Sequence, residues 1–239
     1  AGANGSGKST LKSILPEGLL GVFINPDEIE KKLRDENFVD LADFGVETSQ
    51  DEILRFFRDS SILQKHPAPD KKVSPRFHRG KLEFAEIMPN PYLSAAIADF
   101  LRHKLVAQRS PFTFETVMSH PDKVALLAEA QKLGYRTYLY YIATEDPEIN
   151  VSRVRLREAQ GGHSVPTPQI INRYWRSLDL LLDAIRHTHR AYIFDNSEYQ
   201  RHHTYVAEVT DGRDLVMKTE QMPAWFKRAV WDKFVERPA

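Results

Sequence analysis

A chain of 239 residues that is 41% hydrophobic can bury a full core, and its length fits a single domain. Its 33 Lys plus Arg balance 33 Asp plus Glu, so no overall basic field argues for nucleic acid or an anionic membrane, and partners must be read from local sites. The absence of cysteine excludes a disulfide framework and thiolate metal sites, and no apolar run reaches the roughly 20 residues of a membrane span, so the expected setting is a reducing cytoplasm.

The first ten residues, AGANGSGKST, match G-x-x-x-x-G-K-[ST] from Gly2 to Ser9. In such a loop Gly2, Gly5 and Gly7 permit a tight turn and close approach of the backbone to phosphate, with Asn4 and Ser6 between them. Lys8 reaches the β- and γ-phosphates, the Ser9 hydroxyl holds Mg²⁺, and Thr10 follows on the helix. ATP or GTP with Mg²⁺ is therefore the expected cofactor pair. A P-loop normally follows a buried strand, whereas this chain starts inside the loop without Met, which reads as a truncated chain.

Ser9 to Leu15 reads as a helix stopped by Pro16 and Gly18, and LLGVFIN as a short strand ending at Asn25. PDEIEKKLRDENF then opens a helix with Pro26 and acidic residues where a helix N-terminus favours them. From Val39 to Pro91 the pattern loosens, with five prolines in the last 26 residues, and reads as an insertion or lid. YLSAAIADFLRHKLVAQ is an amphipathic helix, PFTFE a strand, HPDKVALLAEAQKLGY a helix ending at Gly134, and RTYLYYIA a strand. A helix over PEINVSRVRLREAQ, a break at GGHSVPTP, a long helix from Gln169 to Arg186 and the strand AYIFDNS follow. EQMPAWFKRAVWDKF reads as an amphipathic C-terminal helix whose tryptophans pack. Alternation of strands and helices predicts an α/β fold: a mostly parallel, P-loop kinase-like sheet flanked by helices, with a helical insertion at 39–91, a lid-like segment at 150–177 and a C-terminal extension at 198–239.

Asp27 stands just past a strand, where a carboxylate can orient or deprotonate an acceptor hydroxyl; the alternative is a first-turn helix acid. Glu115 ends the next strand similarly, either as a cap or as a substrate or metal-water acid. Arg153 and Arg157 share a helical face before the GGHSVP break, and Arg173 lies on the next helix. Arginines on both sides of a mobile turn suit a lid over phosphates, or else a solvated face. His163 is either a phosphate donor or a turn residue. Asp195 resembles a Walker-B acid or, alternatively, fixes the following turn through an Asx contact.

Taken in order, GANGSGKST, FINPDEI, FTFETVMSH, GYRTYLYYIATEDPEIN, RVRLREAQGGHSVP, INRYWRSL and AYIFDNS resemble the zeta-toxin family of P-loop kinases, especially its chromosomal branch. The resemblance spans Ala1 to Ser197 and is interrupted over Val39 to Pro91. It implies transfer of the γ-phosphoryl group of a nucleoside triphosphate to a sugar hydroxyl, that of a UDP-N-acetyl amino sugar in the studied toxins. It places Asp27 as the base, Lys8 and Ser9 at nucleotide and Mg²⁺, and Glu115 with Thr116 on the substrate side. Arg157 or Arg153, with Arg173, matches the arginines near the phosphates, and His163 stands where the plasmid toxins carry a second such arginine. An antitoxin partner follows by the same analogy. The residue-level alternatives are an NTP-dependent switch acting through a protein partner, a kinase of another small acceptor, and a polynucleotide 5′-kinase, for which SPRFHRGK offers the one basic hint.

Overall fold

Gly7, left-handed at φ 103°, ends the P-loop and caps helix α1 (Lys8–Ile14). The computed structural model describes residues 1–66, 74–84, 87–162, 164–198 and 203–235. Backbone contacts divide the chain into two compact units, one made of Ala1–Leu15 with Thr116–Ala239, the other of Pro16–Glu115.

The second unit begins where Pro16 caps a single new turn, α2 (Glu17–Leu20), so Leu19 and Leu20 are helical and the first strand is shortened to β1 (Val22–Ile24). Asn25 caps α3 (Pro26–Glu36), accepting from the Asp27 N–H at 2.9 Å, and Ile29 and Leu33 bury the inner face. The insertion holds β2 (Phe38–Asp40), α4 (Gln50–Asp59), α5 (Ser61–Lys65), β3 (Pro75–His78) and β4 (Lys81–Phe84). Besides its helices it therefore contains an antiparallel sheet ordered β2-β4-β3. The basic segment SPRFHRGK forms the β3–β4 hairpin, with Lys81 Nζ 3.8 Å over the Phe38 ring. A capping box between Ser49 and Glu52 starts α4.

Asn90 caps α6 (Pro91–Ala107), whose expected amphipathic pattern is broken by burial on most sides, Ala98 and Arg102 included. Arg102 is 2% exposed, pairs with Asp99 at 2.7 Å and lies over the Phe114 ring, so its charge is not left alone in the core. β5 (Phe112–Phe114) pairs in parallel with β1.

The first unit resumes with α7 (Asp122–Lys132), ended by left-handed Gly134, and β6 (Tyr138–Ala143). Then come α8 (Pro147–Ala159), α9 (Thr167–Asp179), α10 (Leu181–Arg186) and β7 (Arg190–Asp195), parallel to β6. The expected single helix from Gln169 to Arg186 is thus two, separated at Leu180. Two strands not foreseen, β8 (Thr204–Thr210) and β9 (Asp214–Met217), extend the sheet antiparallel in the order β6-β7-β8-β9. On the other side of β6, Ala1 bonds as a residue of a parallel neighbour does, its amine donating to Tyr140 O at 2.6 Å and its carbonyl accepting from Ile142 N–H at 3.0 Å. The C-terminal segment runs α11 (Ala224–Phe226), a π-helical turn at Lys227–Trp231, and α12 (Asp232–Val235). Trp225, Phe226 and Val230 pack into a core with Tyr141, Tyr174, Ile185 and Ile193.

Candidate nucleotide site

The P-loop leaves the position beside β6 and turns through three glycines of positive φ: Gly2 at 143°, Gly5 at 76° and Gly7 at 103°. Within it the Ser6 N–H donates to Ala3 O at 3.2 Å, and Gly7 caps α1 without any side-chain acceptor, leaving the helix's first N–H groups to the loop interior. Lys8 folds back, its Nζ donating to Ala3 O at 3.1 Å, while Ser9 and Thr10 are exposed on the first turn of α1. Ser6 is fully buried and its hydroxyl has no hydrogen-bond partner in the structure. This is a backbone cradle of the kind that holds polyphosphate, with the Lys8 ammonium folded against it and Ser9 and Thr10 exposed where the helix begins.

The glycines answer to a wall as well as to the turn. A Cβ on Gly2 would collide with the Ile142 carbonyl, one on Gly5 would lie 2.6 Å from Asn150 O, and one on Gly7 would collide with Nδ2 of Asn196 and come within 3.2 Å of His203 Nε2. Side-chain amides of the wall reach the loop: Asn150 Nδ2 donates to Asn4 O at 2.6 Å and Asn196 Nδ2 donates to Ser6 O at 2.8 Å. Thr144 donates its hydroxyl to Oδ1 of Asn150, and the Tyr174 hydroxyl donates to Thr144 O at 2.7 Å. Burial pushes the Tyr174 phenol well above its ordinary pKa, so it remains a donor at neutral pH. None of these wall residues belongs to the nucleotide motif, and neither Asn150 nor Asn196 carries a pattern of its own in the sequence.

The structure ties one candidate arginine to the loop and another to the wall behind it. Arg173 on α9 donates to Oδ1 of Asn4 at 3.3 Å, and Arg153 on α8 donates to Asn196 O at 2.7 Å. Burial lowers the pKa of the Arg153 guanidinium, an effect opposed by the charge of Asp195. Arg157 shares the face of α8 that carries Asn150 and Arg153 but is exposed, near the end of the helix. Thr116 stands at the loop entrance, its carbonyl accepting from Gly2 N–H at 3.2 Å and its hydroxyl from Met118 N–H at 2.9 Å. His163 lies outside the described residues. Asp195 takes the Asx alternative: its carboxylate accepts from Ser197 N–H and hydroxyl, and from the Trp225 indole N–H at 2.6 Å.

Asp27 and Glu115 belong to the second unit. Asp27 is exposed in the first turn of α3, and the Glu115 N–H extends the β1–β5 pairing by donating to Ile24 O at 3.0 Å. The second unit also carries a cavity of about 570 Å³ beside α4 and α6, lined by Glu52, Arg55, Phe56, Asp99, His103 and Lys104 among others, and by no residue singled out from the sequence.

The family model described as Zeta toxin matches residues 94–217. The chain belongs to the zeta-toxin family. The matched stretch runs from α6 into β9 and contains Asn150, Arg153, Arg173 and Asn196, while the P-loop precedes it, so motif and family match are separate observations. Among solved structures, the chain resembles a crystal structure of AvrRxo1-ORF1:-ORF2 with ATP, with a TM-score of 0.52 and 14% identity over 98% of this chain. It spans 61% of that longer chain, and the likeness shows a shared α/β, P-loop kinase-like fold. No curated protein matches the chain.

Proposed function

We propose that this zeta-toxin family member is a kinase-type toxin that transfers the γ-phosphoryl group of ATP or GTP to a hydroxyl of a sugar-type acceptor, such as a UDP-N-acetyl amino sugar. The observation that carries the reading is the P-loop cradle, formed with its lysine at the rim and two arginines tied to its loop and wall. Family membership supports the phosphotransferase class, and the ATP of the solved neighbour supports the nucleotide. In this reading 1–239 works as one kinase-like domain with a 39–91 insertion, a lid-like 150–177 segment and a 198–239 extension.

Loop N–H groups and Lys8 bind the phosphates, and Ser9 would hold Mg²⁺, which supplies charge neutralisation on the phosphate oxygens. Arg173 and Arg153, with Arg157, stabilise charge on the transferring group. Asp27 orients the acceptor hydroxyl and takes its proton as the acceptor oxygen bonds to phosphorus and the bond to the β-phosphate oxygen breaks; Glu115, Thr116 and His163 hold the acceptor. An antitoxin is the proposed protein partner. No helix among the described residues is long and apolar enough to cross a membrane.

The test is phosphate transfer from ATP and Mg²⁺ across a panel of UDP-sugars, nucleosides and small metabolites, read by the mass of each acceptor. A phosphorylated UDP-sugar that disappears with Asp27→Asn supports the proposal. Tight nucleotide binding with no modified acceptor would overturn it in favour of a switch acting through a partner.

A further inference from the structure

A loop that turns its N–H groups inward toward phosphate must turn carbonyls outward, and a buried carbonyl left without a donor is destabilising. Here two outward carbonyls of the P-loop are each met by a side-chain amide. Asn4 O receives Nδ2 of Asn150, 146 residues away in sequence, and Ser6 O receives Nδ2 of Asn196, 190 residues away.

Both amides are held in turn. Asn150 is fully buried on α8 and its Oδ1 accepts from the Thr144 hydroxyl. That contact fixes which end of the amide faces the loop. Asn196 is anchored through its backbone, its N–H donating to Ala143 O at 2.8 Å and its carbonyl accepting from Arg153. Asn150 and Arg153 lie one turn apart on α8, so one helix grips the loop directly at Asn4 and indirectly through Asn196. The backs of Gly5 and Gly7 press on the same two asparagines, which leaves the loop no room to relax toward the wall.

We propose that Asn150 and Asn196 are positioning residues that preset the phosphate-binding shape of the P-loop, and that α8 is the element that sets it. The inference rests on the nucleotide reading above and adds two residues outside its motif. It ties the helix expected to act as a lid to the cradle itself. Phosphate affinity then depends on the packing of α8, not only on the loop's own sequence.

The experiment is calorimetric titration of the full chain with ATP, ADP and adenosine in Mg²⁺. Asn196→Leu is the main variant, because it keeps nearly the same size, adds no charge and removes the donor. ATP and ADP affinity should fall about tenfold, the scale of one lost hydrogen bond to a buried carbonyl, while adenosine affinity stays unchanged. KM for ATP in transfer should rise by a similar factor. Asn150→Leu should act in the same direction; if it does not fold, Thr144→Val, which loosens the Asn150 amide and also removes a 3.3 Å bond to Asp146 O, should give a loss of about threefold. ATP binding by folded Asn196→Leu within about twofold of the parent would overturn the inference and leave the kinase reading standing. An equal loss for adenosine would also overturn it, because it would mark general destabilisation. A parent chain that binds no triphosphate would overturn the nucleotide reading itself.

Discussion

The P-loop of the first unit and the first turn of α3 in the second are both helix starts that present chemistry, yet they are supported from different distances. At the P-loop, support is tertiary: Asn150, Asn196, Arg153 and Arg173 come from far along the chain, and the glycines are squeezed against them. At α3, support is local: Asn25 caps the Asp27 N–H from two residues away, Pro26 sets the first turn, and the Asp27 side chain stands exposed. The phosphate-binding shape is thus a property of the folded unit, whereas the acid is delivered by a short sequence that would form its turn almost anywhere.

The sharpest way to break this contrast is to remove the charge at the braced end. On the proposed function, Lys8→Ala should cost about a thousandfold in transfer and also weaken ATP binding, as the loss of a cation placed to stabilise transferring charge would; initial rates by acceptor mass measure it. At the other end, Asp27→Asn should cost about a hundredfold in transfer with ATP affinity unchanged. If Asp27 were only a first-turn acid, transfer would persist and a stability change of about 0.3–1 kcal/mol would be all that remained. Gly5→Ala tests the wall itself: a Cβ 2.6 Å from Asn150 O on a backbone at φ 76° should destabilise the first unit by about 1–3 kcal/mol, visible in a thermal melt, and lower ATP affinity with it.

Away from the loop the expected effects are on stability alone. Trp225→Phe removes the indole donor from the buried Asp195 carboxylate and should lower stability by about 1–3 kcal/mol, a melting shift of a few degrees. In the second unit, Lys104 at 2.9 Å and the Thr48 hydroxyl hold the Glu52 carboxyl at about 2, below the ordinary 4.5. Because the folded value is the lower one, this contribution is fully present above 4.5 and is lost as pH falls from there through about 2. Glu52→Gln should flatten that acid limb in equilibrium unfolding.

Much of the architecture was legible because it is written in local patterns. Asn25-Pro26 announces α3, Gly134 ends α7, and the apolar runs of β1, β5, β6 and β7 stand out between charged helices. The P-loop motif is local in the same sense, whereas the two readings of Asp195 were separated only by the folded chain, which gives its carboxylate Ser197 and the distant Trp225 as donors. What escaped was whatever depends on distant partners. Asn150 and Asn196 carry no pattern of their own, and only the folded chain sets them against Asn4 and Ser6. The sheet of the insertion escaped because β2, β3 and β4 are three or four residues long and rich in charge, with no room for alternation to show. β8 and β9 were legible in principle, because Asp211-Gly212 between them, both at positive φ, is a hairpin signal that the alternation of strands and helices overshadowed, while no glycine or proline marks the break at Leu180.

Trp225, buried against Asp195, has company of a useful kind. All three tryptophans of the chain, Trp175, Trp225 and Trp231, fall in the first unit, and the second contains none. Indole emission therefore reports on one unit alone, while far-ultraviolet dichroism sums over both. A single label-free melt followed by the two signals therefore separates the loss of the P-loop unit from the loss of the other.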